Sequence, residues 1–272
     1  MKAIDAWVNP FCADFEPPFS PKAVERMMAR APQVMENTMT APDIPSLLAV
    51  MDASGVEKAV LTDPYGSDLF KVEVEKGIEA APDRFAGCAA IHPTTAANDK
   101  RVVRELKAKG YKAIKFLSVF SEMAYDDPRY FPIYAACEEE EMIATFTVGL
   151  PYIPISNQPQ NPLTLEPALQ HFPDLNFVMC HGGVPWAETC VALMRKWENL
   201  YWMSSALDQG ALPAAIVEFA LAGGSDRLMY ATDFPAHSFQ QSLSDSLLLQ
   251  DEIPAHVREE FAYGVANRLF FS

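Results

Sequence analysis

A short apolar run followed by a helical stretch recurs eight times along the chain, and this rhythm restricts the fold more than any other feature. The runs are Ala3 to Val8, Lys58 to Thr62, Phe85 to Ile91, Lys112 to Leu117, Ile143 to Val148, Leu175 to Cys180, Leu200 to Met203 and Arg227 to Thr232. Helices are predicted over 43–54, 70–81, 96–109, 128–140, 163–171, 185–196 and 213–222, with helical material to Arg268. Strands that alternate with helices build a parallel sheet with covered faces. The chain has 272 residues, half of them hydrophobic. That fits one α/β barrel of about 250 residues better than two small domains. The expected architecture is a single-domain (β/α)8 TIM barrel over 1–272; a doubly wound open sheet is the competing topology.

One segment breaks the rhythm. Residues 10–42 form a long excursion after strand one, rich in Pro, Phe and Met, including Phe11, Phe15, Phe19, Met27, Met28 and Met35. It is expected to precede the first regular helix, at Asp43 to Ser54. It either packs as a cap on the barrel or roofs a pocket with its aromatics, since long βα loops carry specificity. Exposed aromatics there would suit a homo-oligomer contact.

Composition excludes several classes. A net charge of −15 with dispersed acids repels nucleic acid and anionic membranes at long range. No apolar run approaches the ~20 residues of a membrane span, and MKAIDAWVNP lacks a signal-peptide core, so a soluble, cytoplasmic protein is expected. The five cysteines, Cys12, Cys88, Cys137, Cys180 and Cys190, form no CxxC or CxxxH pair, which argues against a disulfide framework or a structural zinc. Neither a Gly-x-Ser-x-Gly elbow nor a phosphate-binding glycine loop is present.

Two strands each deliver a titratable group at the carboxyl end, where a parallel barrel builds its site. LNFVMCHGGVPW leads to His181, and RLMYATDFP leads to Asp233. Each also has a structural reading, His181 as a satisfied core histidine and Asp233 as a turn cap. Lys115 lies within an apolar strand, where an amine is costly unless it reaches a cavity or a carboxylate. It either contacts substrate or snorkels at the barrel bottom. His92, which ends strand three, and His237, after strand eight, are further candidates for facing the pocket. The polar loop after strand five, with Tyr152 and Asn157, either hydrogen-bonds substrate or is a surface turn.

HGGVPW, the preceding PDLNF, LYWMSSA, GGSDRLMYATDFP and ANRLF, together with APDRFAGCAAIHP and YKAIKF, form an ordered set over nearly the whole chain. The set resembles the amidohydrolase-related family of metal-dependent decarboxylases, hydratases and hydrolases acting on small carboxylated ring compounds. The resemblance implies a TIM barrel and a site with a His-x-His pair ending strand one, histidines ending strands five and six, and an aspartate ending strand eight. In this chain Trp7 and Asn9 stand at the first pair and Thr147 or a neighbour at the third position, so only His181 and Asp233 match.

Trp7 offers a metal no lone pair, and Asn9 and Thr147 offer only neutral oxygen. A catalytic zinc ordinarily takes three protein ligands. The expectation is therefore a metal-independent site with no cofactor, unless His92, His237, Cys12 or Asp5 rebuilds one outside the family pattern. Asp233 would serve as general base towards water, its pKa raised by burial, with His181 and Lys115 polarising a carbonyl. Trp7, Asn9, His92, Thr147, Tyr152, Asn157 and His237 would contact substrate, Trp7 mainly as pocket wall. Without a metal to activate water, the substrate is expected to be a small activated ester or lactone bearing a carboxylate. A decarboxylase or hydratase and a non-catalytic binding protein are the alternatives.

Overall fold

Runs such as Phe85–Ile91 are apolar at every position and buried along their whole length, as strands covered on both faces must be. The computed structural model describes residues 2–10, 12, 20–39, 42–91, 100–149 and 156–272. In it β1 (Ala3–Val8), β2 (Val56–Thr62), β3 (Phe85–Ile91), β4 (Tyr111–Phe116), β5 (Ile143–Thr147), β6 (Phe177–Cys180), β7 (Leu200–Met203) and β8 (Leu228–Met229) form one sheet in sequential order. Every adjacent pair is parallel. A doubly wound sheet would reverse direction from its first strand, so this order rules that topology out.

The circle closes through isolated contacts. Ala6 N donates to Tyr230 O at 3.1 Å, Asp233 N donates to Trp7 O at 3.1 Å, and Val8 bridges Phe234 in parallel. The result is a TIM barrel in one domain.

Alternation along the strands sorts the side chains. Small residues such as Ala6, Ala86, Cys88, Ala113, Cys180 and Ala231 pack inside the barrel. Trp7 points inward, whereas the strand aromatics Phe85, Tyr111, Phe116, Phe146, Phe177 and Trp202 pack on the helix side. On that outer side Phe116 stacks on Phe146 at 5.0 Å between centroids, and Phe146 on Phe177 at 5.4 Å, so one aromatic ladder joins β4, β5 and β6. Each such pair contributes about 0.5–1.5 kcal/mol beyond its buried area.

The excursion differs from its expected form, because regular helices occur before Asp43. Pro21–Arg30 and Pro32–Met39 are both helical. Their prolines sit at the first helical position, where the missing N–H costs nothing, and Ser20 Oγ caps Ala23 N at 3.3 Å. Asn37 Nδ2 donates to Ala236 O at 3.2 Å, which ties the second of these helices to the turn after β8 on the carboxyl face of the barrel. Phe11, Phe15 and Phe19 lie outside the described residues. Among the described residues, no helix is long and apolar enough to cross a membrane.

Candidate active site

Strand β1 carries a register shift between Asp5 and Val8. There the Trp7 N–H donates to Asp5 Oδ1 at 3.0 Å, and Trp7 packs with the barrel interior beside Ala6. A bulge of this kind re-aims a side chain at a strand end. The indole meets His181 edge-on, ring centroids 5.1 Å apart, and the Lys115 amine sits 4.4 Å above its face. Lys115 Nζ also donates to Pro64 O at 3.3 Å, beyond the carboxyl end of β2. The lysine therefore points to the active face, and the barrel-bottom alternative is discarded. Its pKa is lowered by burial, which the nearby acidic groups only partly oppose.

His181 begins three consecutive residues with left-handed backbone, at φ 68, 75 and 76. Glycine adopts that region freely, and this is what the two glycines of HGG provide. A side chain on Gly182 would also collide with Leu207, its Cβ only 2.2 Å from Cδ1. The turn aims His181 inward, where its backbone N–H donates to Ser205 Oγ at 3.0 Å and Nδ1 pairs with the same hydroxyl at 3.2 Å. Burial, then the Lys115 charge, holds the imidazole pKa well below its ordinary value. His181 is a neutral hydrogen-bonding group.

Asp233 also has a left-handed backbone, φ 65, and remains half-buried. Its Oδ1 accepts from Asn9 Nδ2 at 2.8 Å. The Asn9 amide has a fixed orientation, because Thr62 Oγ1 donates to its Oδ1 at 2.6 Å and its Nδ2 also reaches Phe234 O at 3.2 Å. Burial pushes the Asp233 pKa up to about 6, against the lowering effects of the Asn9 bond, the Lys115 charge and the Trp7 side chain. The indole N–H lies close enough to favour the carboxylate but outside hydrogen-bond geometry, and Nε1 has no partner.

The remaining sequence candidates distribute unevenly. Thr147 is buried and pairs in register with Cys180, next to His181, and its carbonyl accepts from Tyr125 Oη at 2.5 Å. His237 is partly buried with Nε2 unpartnered, and burial lowers its pKa. Asn157 Oδ1 is likewise buried without a partner. His92 and Tyr152 lie outside the described residues.

Several site residues escaped the sequence reading. Ser205, in the LYWMSSA stretch, holds His181. Asp63 Oδ1 accepts from the backbone N–H groups of Tyr65, Gly66 and Ser67 at 3.2, 2.9 and 3.0 Å, which fixes the loop whose Pro64 carbonyl receives Lys115. The Asp-Pro pair after strand two was the available signal. Tyr65 has its phenol pKa raised by burial and then by the Asp233 charge, so it is a neutral phenol close enough to Asp233 to feel its charge.

The donors present among the described residues do not rebuild the metal site that the resemblance implies. Asp5 accepts from Trp7 N, Thr232 N and Thr232 Oγ1, so its carboxylate is already engaged. Among the described residues, no three His, Cys, Asp or Glu side chains cluster so as to hold a metal ion. Where two imidazoles would stand, there is an indole without a lone pair and an amide already bonded to Thr62 and Asp233. The Lys115 amine against the indole would repel a second cation. The donor set of the described residues does not fit the ion.

The model of the amidohydrolase family matches residues 4–271. No curated protein matches the chain significantly. Among solved structures, an uncharacterized TIM-barrel protein from Bordetella bronchiseptica is 23% identical with a TM-score of 0.79, covering 99% of this chain and 98% of that one. A 5-carboxyvanillate decarboxylase from Sphingomonas paucimobilis is 18% identical with a TM-score of 0.67, covering 99% and 98%. A probable 2-pyrone-4,6-dicarboxylic acid hydrolase from Acinetobacter baumannii, solved with citric acid bound, is 17% identical with a TM-score of 0.68, covering 99% of each chain. At these identities the likeness is one of fold.

Proposed function

The chain belongs to the amidohydrolase family, and from that premise we propose that it is a metal-independent hydrolase of a small activated ester or lactone bearing a carboxylate. One observation carries the proposal. Asp233, at the carboxyl end of the barrel, has its pKa raised to about 6 and its Oδ1 held by Asn9, which suits a general base at neutral pH.

The chemistry follows from the residues around it. Asp233 takes a proton from water as the oxygen attacks the acyl carbon. Lys115 and neutral His181, both buried, donate to the oxyanion that develops, and buried donors of this kind are worth most. Collapse breaks the acyl–oxygen bond, and the leaving oxygen recovers the proton from Asp233. Tyr65 and Trp7 supply flat apolar walls for a conjugated ring. One structural neighbour is described as a probable 2-pyrone-4,6-dicarboxylic acid hydrolase, and a 2-pyrone is a conjugated lactone, which is compatible with this substrate class.

Hydrolysis in 18O-labelled water tests the reading, with dihydrocoumarin as a first aryl lactone and a carboxylated pyrone as a second. A solvent oxygen in the new carboxylate supports it. Release of carbon dioxide from a carboxylated ring without oxygen incorporation replaces it with a lyase. Thermal stabilisation by such compounds without turnover of any of them replaces it with a binding protein.

A further inference from the structure

Asp5 is fully buried in an apolar strand, and among the described residues every hydrogen bond of its side chain goes to the β1 end or to the segment after β8, the two stretches that carry the site. Its Oδ1 accepts from Trp7 N at 3.0 Å and Thr232 N at 3.2 Å, and its Oδ2 accepts from Thr232 Oγ1 at 2.7 Å. Thr232 Oγ1 in turn accepts from Phe234 N at 2.9 Å. Both neighbours of Asp233 are thereby tied, directly or through one hydroxyl, to a single carboxylate on β1. Asp233 itself donates its N–H to Trp7 O at 3.1 Å.

We propose that Asp5 and Thr232 are positioning residues, a buckle between β1 and β8 that keeps Asp233 in its left-handed backbone and turned towards Asn9 and the pocket. The role as base rests on the function proposed above; the buckle itself does not. Three features point to it. The ladder of β8 ends at Met229, so residues 230–234 are held by isolated bonds in place of a continuous ladder. Aspartate tolerates positive φ without preferring it, and relaxation to extended backbone would turn its side chain to the other face. A buried carboxylate is costly in an apolar strand unless its acceptors are used, and those of Asp5 are used on this one connection.

The test uses the full chain with 13C at the aspartate carboxyls and compares Thr232→Val, Thr232→Ser and Asp5→Asn. The Asp233 signal is assigned by its loss in Asp233→Asn. Thr232→Val removes the hydroxyl without changing charge. It is expected to bring the Asp233 pKa down by about one unit or more as the carboxylate reaches solvent. Turnover of dihydrocoumarin should fall about 100-fold with KM within about 3-fold. Thr232→Ser keeps the hydroxyl and should keep both properties, and Asp5→Asn should follow Thr232→Val. An unchanged Asp233 titration in folded Thr232→Val would overturn the buckle, as would Thr232→Ser behaving like Thr232→Val. If wild-type protein turns over neither lactone, the hydrolase reading fails, and the titration still decides the positioning role.

Discussion

Asn9 and Asp233 are 224 positions apart in sequence and joined by a hydrogen bond of 2.8 Å. This bond favours the ionised carboxylate while burial favours the protonated one, and burial wins, leaving the pKa at about 6. Asn9→Ala removes the opposing influence. The acid limb of kcat/KM is expected to rise from a midpoint near 6 in the wild type and to move to higher pH in the variant. A limb that stays in place would separate the base from Asp233.

Asp233→Asn preserves the shape of the side chain and removes its basicity. Turnover should fall about 1,000-fold, within the range that a general base contributes, while the thermal melt shows an intact fold. Steady-state kinetics on dihydrocoumarin with a parallel melting curve would check this.

Asp5 sets a pH dependence of stability. Burial raises its pKa from 3.8 to about 7. Between these values the native state keeps a proton that the unfolded chain has released. Its favourable contribution is therefore complete below about pH 4 and lost as pH climbs towards 7, amounting to roughly 4 kcal/mol. Denaturant unfolding of the wild type and Asp5→Asn should diverge over that window, with the variant gaining relative stability as pH rises. His181 acts in the opposite sense, since its depressed pKa costs stability as pH falls below about 6.5. Taking the difference between the two proteins cancels that contribution.

Lys115→Met replaces a buried amine with an apolar chain of similar length. Loss of an oxyanion donor should lower kcat about 100-fold. Because the Lys115 charge depresses the His181 pKa, the imidazole should titrate at higher pH in the variant, measurable from the histidine ring protons by NMR.

Treatment with EDTA is expected to leave lactone hydrolysis unchanged. The converse experiment is constructive. Trp7→His and Asn9→His made together would place two imidazoles near His181 and Asp233, enough donors for a tetrahedral zinc. Elemental analysis of the double variant should find about one zinc per chain, and the wild type none. Stoichiometric zinc in the wild type would refute the metal-independent reading.

The barrel was legible because strand and helix differ in period and eight repetitions leave little choice of topology. His181, Asp233 and Lys115 were legible because each interrupts or ends an apolar strand. The helices Pro21–Arg30 and Pro32–Met39 were not, since proline and methionine together mask a helical period, although Ser20-Pro21 is an N-terminal signal. Ser205 acts on the His181 backbone and ring nitrogens from a neighbouring loop, and nothing in one sequence states which loops meet, whereas Asp63 binds only its own loop, which Asp63-Pro64 marks in the sequence. From the sequence alone Asp5 reads only as a spare metal donor. Its actual partners are Trp7, two positions on, and Thr232, 227 positions away just beyond β8.

Where β8 meets β1, the barrel is sewn with separate stitches in place of a continuous ladder, and these stitches include Trp7, Asn9, Thr232 and Asp233. Closing the cylinder and shaping the pocket thus draw on the same few atoms. Robustness and site geometry cannot be adjusted independently along this seam, whereas the aromatic ladder at β4 to β6 packs on the outer side of the barrel and shares none of the seam's bonds.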